Sequence, residues 1–216
     1  MTILLAAQTA LATCYGGGNE GAFGAEPPGS MRRGIKGEMD HYSAQPNGSS
    51  TTIVHPTQIV YNSNNFVGWG TAKGDGVDNC ASYFGTRWQI YFDGRNAGDY
   101  FCEQHYGDVS DTAQNQFFRI EWTTCPGDGN LKFVVYWNSA WKSCKIIGAS
   151  SGRPSAGSES IGTTSTQDLQ IGYAAIRAKP ITAGWQYFSS LSTCETDYPY
   201  VVDNIGVSSW TVNVSP

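Results

Sequence analysis

The strongest constraint on this chain is the way its apolar residues are parcelled. Aromatic and β-branched residues come in short runs fenced by Asn, Gly, Asp or Pro, and no run holds helical spacing long enough for an amphipathic helix. The stretch Tyr61–Cys102 shows this best: FVGWG and TRWQIYF are set apart by Gly- and Asp-rich punctuation, and DYFC follows. Strand side chains alternate, so Trp88, Ile90 and Phe92 share one face of TRWQIYF, and Arg87, Gln89 and Tyr91 share the other. The first face suits a core. The second carries groups able to hydrogen-bond a ligand.

Taken in order, residues 15–33 are Gly/Pro-rich and read as an irregular connection. Further strands are expected at 34–42, 57–61, 66–71, 86–92, 117–122, 131–137, 142–147, 169–177, 200–207 and 210–214. TTCPGDGN has the turn chemistry to join 117–122 to 131–137 as a hairpin, whereas Ser150–Gly162 reads as a loop. Regular strands without helices point to an all-β fold, an antiparallel β-sandwich of the concanavalin-like jelly-roll kind. The expected division is a segment 1–33 and a single sandwich domain 34–216. Within the first, MTILLAAQTALATC has an apolar run but no basic region before it, which favours a retained strand or short helix over the remnant of a signal peptide.

A net charge of −5 offers no basic footprint for nucleic acid, and no run reaches the ~20 apolar residues of a membrane span. The six cysteines are widely spaced with no CxxC, which argues for a disulfide set and an extracellular setting rather than zinc or redox chemistry. Cys80–Cys102 and Cys125–Cys144 are the favoured pairs, each bracketing neighbouring strands. No cofactor and no metal site are expected: Glu103, His105 and Asp108 alternate irregularly, His41 and His55 stand alone, and Asp75 and Asp78 lack the calcium-loop spacing.

The run from NNFVGWG through YFGTRWQIYFDG to YFC, together with AGSES at 156–160, resembles the neprosin family of secreted glutamic peptidases and its bacterial relatives. In that family two glutamates act together on a concave sheet, one activating water while the other polarises the scissile carbonyl. Two close carboxyls push their pKa values apart, so such enzymes work in acid. The resemblance matches Glu159 to the second glutamate. It puts Phe66, which cannot carry a proton, where the first belongs.

Two functions of different class follow. One is a secreted sandwich with a degenerate dyad that binds an extracellular polypeptide or polysaccharide, or self-associates as a surface module; Phe66, Gln58, Tyr91 and Trp69 are its candidate binding residues. The other is an acid-acting endopeptidase in which Glu159 works with Gln89, since an amide can orient water and hydrogen-bond an oxyanion. A polysaccharide-active enzyme is the further alternative, because fold does not fix function. The plainer reading makes Gln58 and Gln89 solvated strand positions and pairs Arg119 with Glu121 as neutralising neighbours.

Overall fold

The computed structural model describes residues 20–42, 52–74, 85–110, 112–161, 171–195 and 200–214. Among these described residues fifteen strands run as β1 (Glu20–Ala25), β2 (Arg32–His41), β3 (Thr52–Asn62), β4 (Asn65–Gly74), β5 (Gly85–Asn96), β6 (Asp99–Val109), β7 (Gln116–Thr124), β8 (Leu131–Trp137), β9 (Ala140–Lys145), β10 (Arg153–Ile161), β11 (Ile171–Pro180), β12 (Gln186–Tyr187), β13 (Ser192–Glu195), β14 (Tyr200–Gly206) and β15 (Ser209–Val214). They form two antiparallel sheets. One is ordered β13-β1-β10-β3-β4-β5-β6, and the other β14-β15-β11-β2-β7-β8-β9 with β12 beside β11.

Large rings from both sheets fill the space between them. Trp69, Phe92 and Trp88 from the seven-stranded sheet meet Phe118, Phe133, Tyr173 and Trp210 from the eight-stranded one, all buried. The Trp69 indole N–H crosses the gap to the Tyr136 carbonyl at 3.1 Å, with Phe92 and Trp137 edge-on to the ring. Alternation in β5 holds as expected: Trp88, Ile90 and Phe92 belong to the core. The hairpin of β7 and β8 pairs Phe118 with Trp137 through Thr124 with Leu131, and the Cys125–Cys144 disulfide ties its turn to β9. Cys102 is disulfide-bonded too; Cys80, its expected partner, lies outside the described residues. So do 1–14, the QPNGSS turn and the Asp75/Asp78 loop.

Two stretches read as irregular are strands. Residues 20–25 make β1, and SSGRPSAGSESIG contains β10, which lies inside the sheet between β1 and β3. Their small residues are poor strand formers on their own, and packing overrides that propensity. A side chain at Gly24 would sit 2.4 Å from the Trp210 ring, whose N–H donates to the Ala156 carbonyl at 3.2 Å. A side chain at Gly157 would strike Phe23. These glycines and alanines are the sockets of bulky neighbours. β5 runs beyond its expected end at 92, through Asp93 and Gly94 to Asn96, and the chain reverses at Ala97 and Gly98, where φ is 53° and 94°.

The interior also holds polar groups that the sequence presents as isolated. His41 and His55 are fully buried, with ring centroids 5.7 Å apart. His41 Nε2 lies 2.8 Å from Thr71 Oγ1, and His55 Nδ1 lies 2.8 Å from Ser158 Oγ. Trp88 lies 4.4 Å from His55, ring centre to ring centre, and the Lys73 ammonium is 5.7 Å from the centre of that indole. Burial, then the neighbouring His41, hold His55 well below the usual histidine range. The unfolded chain therefore binds more protons than the fold once pH drops below about 6.5. The His55 contribution to stability should be full above that pH and fall progressively in acid. His55→Gln should flatten the acid limb of a denaturant-midpoint-versus-pH curve. A limb of unchanged slope would clear His55 of the effect.

Candidate functional site

Because Trp69 points into the core, its alternates Phe66, Gly68, Gly70 and Ala72 point the other way, onto the outer face of the seven-stranded sheet. Cross-strand register arranges that face in rows. Glu159 pairs with Val54, Val54 with Ala72, and Ala72 with Gln89, so Glu159 and Gln89 lie in one row, three strands apart. Ser155, Gln58, Gly68, Asp93 and Cys102 form a second row. Arg153, Val60, Phe66, Arg95 and Tyr100 form a third. Tyr91 pairs with Gly70, between the first two.

The side chains of this outer face are sheltered from solvent. Gln89 and Glu159 are each 9% exposed, Gln58 5% and Tyr91 3%. Its floor is lined with small residues for a steric reason. A side chain at Gly70 would fall 1.9 Å from the His55 carbonyl oxygen, and one at Gly68 would fall 2.4 Å from Asp93 Oδ1. Gly68 thus opens the space in which the Asp93 carboxyl lies.

Asp93 and Tyr100 are the residues that sequence reasoning passed over. The Tyr100 hydroxyl donates to Asp93 Oδ2 at 3.2 Å, while Asp93 Oδ1 is buried with no hydrogen-bond partner among the described residues. Burial raises the Asp93 carboxyl to about 7, against the pull of the Tyr100 hydrogen bond. Burial and then the Asp93 charge push the Tyr91 hydroxyl up, with Glu159 adding to the effect. The signal was there: Asp93 has the same parity as Gln89 and Tyr91, and extending the alternation through DG would have found it.

The expected site residues fall in different places. Gln89, Glu159, Gln58 and Tyr91 share the outer face with Phe66. Phe66 lies six residues along β4 from Ala72, roughly 20 Å from the Glu159 row at strand rise. Trp69, a candidate binding residue, is instead a core residue on the opposite face, with no exposed surface and its N–H already donated. Arg119 and Glu121 are neighbours at 3.7 Å, and Lys179 also reaches Glu121. No group of three or more metal-ligating side chains occurs among the described residues.

Chemically, the first row offers a carboxyl and an amide on one face, with Val54 and Ala72 between them. Three strand spacings of about 4.8 Å separate their backbones. A carboxylate can take a proton from water, and an amide N–H can donate to a developing oxyanion. The second row adds a carboxyl that keeps its proton close to neutrality.

Solved structures share this architecture. A scytalido-glutamic peptidase with a transition-state-analogue inhibitor aligns with a TM-score of 0.58 at 10% identity, covering 91% of this chain and 98% of that one. A second scytalido-glutamic peptidase complex, with a peptide-based transition-state analogue, gives 0.52 at 11% identity over 90% and 98%. SCP-B, a member of the eqolisin family of peptidases bound to the tripeptide Ala-Ile-His, gives 0.51 at 11% over 90% and 98%. At such identities the likeness establishes the fold, a glutamic-peptidase-like β-sandwich. No protein-family model and no curated protein matches the sequence.

Asp93 yields a prediction of opposite sign to His55. Its folded pKa is raised from 3.8 to about 7, so the fold keeps a proton that the unfolded chain releases. Its contribution is fully present below pH 3.8 and is lost as pH rises towards 7. Three units correspond to no more than about 4 kcal/mol. Asp93→Asn should remove this decline, so the variant gains on the wild type between pH 4 and 8 in denaturant melts. A constant difference across that range would mean that Asp93 ionises freely in the fold.

Proposed function

We propose that this chain is an acid-acting endopeptidase of the glutamic type, with Glu159 and Gln89 as its working pair. The observation that carries the reading is the row Glu159–Val54–Ala72–Gln89, which brings a carboxyl and an amide from distant parts of the chain to one face of one sheet. In this mechanism Glu159, ionised, takes a proton from a water held between the two side chains. The oxygen attacks the scissile carbonyl, and the Gln89 amide donates to the oxyanion that forms. Protonated Glu159 then returns its proton to the leaving amine, which closes the cycle. In this reading the outer face around the row, with Gly68 and Gly70 on its floor, is the trough that takes an extended polypeptide. The neprosin-type motifs around Glu159 support the same chemistry, and extracellular action suits a disulfide-bonded chain.

Phe66 favours a second reading. If the place of the family's first glutamate is the one that matters, the dyad is lost and the trough binds a polypeptide or polysaccharide without cutting it, or serves self-association. The two readings separate in one assay. An unfolded protein incubated with purified chain from pH 2.5 to 7 should be cleaved at the acid end. Glu159→Gln and Gln89→Ala should each lower kcat/KM by about a hundredfold or more, the usual cost of losing a group that meets the transition state. Absence of cleavage at every pH, with the trough still binding unfolded chain, would establish the binding reading in its place.

A further inference from the structure

The outer face of the other sheet carries a feature that the peptidase reading does not use. Register places Tyr187 opposite Arg177, Arg177 opposite Lys36, Lys36 opposite Arg119, Arg119 opposite Tyr136, and Tyr136 opposite Trp141. One row crossing β12, β11, β2, β7, β8 and β9 therefore reads aromatic, cation, cation, cation, aromatic, aromatic. Its five strand spacings of about 4.8 Å make a stripe roughly 24 Å long.

Three cations directly opposite one another repel, and a sheet surface stabilised for its own sake alternates the signs. This chain has net charge −5, so acidic side chains to interleave are not scarce. Glu121, one row along, is already held by Lys179 and Arg119. Lys36 and Arg177 have no carboxylate within ion-pair distance among the described residues. Burial, followed by the charges of Arg177 and Arg119, lowers the Lys36 ammonium below its ordinary range. The positive charge sits there at a cost that the fold itself does not explain.

Aromatic rings hold these cations in place. The Arg119 guanidinium lies 3.6 Å from the Tyr136 ring centre, that of Arg177 4.4 Å from Tyr187, and the Lys36 ammonium 4.7 Å from Trp185. Arg177 also donates to the Tyr187 hydroxyl at 2.8 Å. Tyr187 and Trp141, near the two ends, are 56% and 44% exposed. Between them the chain bulges at Ala175, whose φ is 53°, and a pocket of about 220 Å³ opens beside Lys36 and Arg177.

We infer that the stripe Tyr187–Arg177–Lys36–Arg119–Tyr136–Trp141 binds an acidic polysaccharide, with uronate carboxylates on the cations and sugar rings on the exposed aromatics. Charge complementarity supplies the anion. The exposed rings supply the sugar, because the apolar face of a pyranose stacks on an aromatic side chain while its hydroxyls stay in water. A linear polymer fits a linear row. The stripe lies on the sheet opposite the Glu159–Gln89 trough, so it tethers the protein to a polymer without blocking that trough.

The test uses the full chain and two forms of one polymer, oligogalacturonate and its fully methyl-esterified counterpart, with isothermal titration at low and at 150 mM salt. The acid form should bind, and the uncharged ester should bind at least tenfold more weakly. Binding should weaken with salt, since exposed charges are screened. Lys36→Gln and Arg177→Gln should each weaken it by about fivefold, the effect of one cation facing an anionic surface. Both sites are on the solvent side of their strands, and unchanged melting temperatures would exclude misfolding; Tyr187→Ala, which leaves the charges alone, should weaken binding as well. Equal affinity for ester and acid, or indifference to both Gln substitutions, would overturn the inference. So would a single-stranded oligodeoxynucleotide of matched charge binding as tightly as the uronate. Proteolysis measured in the same variants should stay at wild-type level, so loss of tethering and failure of the peptidase reading remain distinguishable.

Discussion

The fold depends on rings from one sheet occupying places that the other sheet keeps empty. Trp210 lies where Gly24 has no side chain and bonds the Ala156 carbonyl; Tyr173 reaches the Gly157 carbonyl in the same way. Burying an aromatic side chain stabilises by a few kcal/mol, and an indole or phenol gains that fully only if its polar atom finds a partner. Backbone carbonyls of small-residue strands provide those partners. This fixes the separation of the sheets, and it explains why β1 and β10 can be built from residues with little strand preference.

The same economy of side chains shapes the outer trough. Gly68 and Gly70 are imposed by close approach of the Asp93 carboxyl and the His55 carbonyl, on the same buried face as Gln58, Gln89 and Glu159. Core packing and candidate chemistry are therefore two faces of the same strands. Trp69 and Gly70 are adjacent residues, one sealing the interior and the other opening the trough.

Two buried titrating groups act on stability in opposite directions. His55 loses its contribution as pH falls below about 6.5, and Asp93 loses its own as pH rises from 3.8 towards 7. Their sum places the most stable condition in mild acid.

Alternation and turn punctuation determined much from sequence alone: the all-β class, the β7–β8 hairpin, the Cys125–Cys144 pairing, and the two faces of TRWQIYF with Gln89 and Tyr91 opposite the core. These are local properties, set by a two-residue period and by residues that break it. β1 and β10 were not legible, because their strand character comes from Phe23, Tyr173 and Trp210 packing on them. Trp69 could not be told from a binding residue, since a period of two separates faces without saying which one meets the other sheet. The placing of Glu159 and Gln89 in one row, the meeting of Asp93 with Tyr100, and the three cations in one stripe were decided by tertiary structure alone. Each is a matter of which distant strands lie side by side and in what register, and a register is fixed only when both strands bury their core faces against the same opposing sheet.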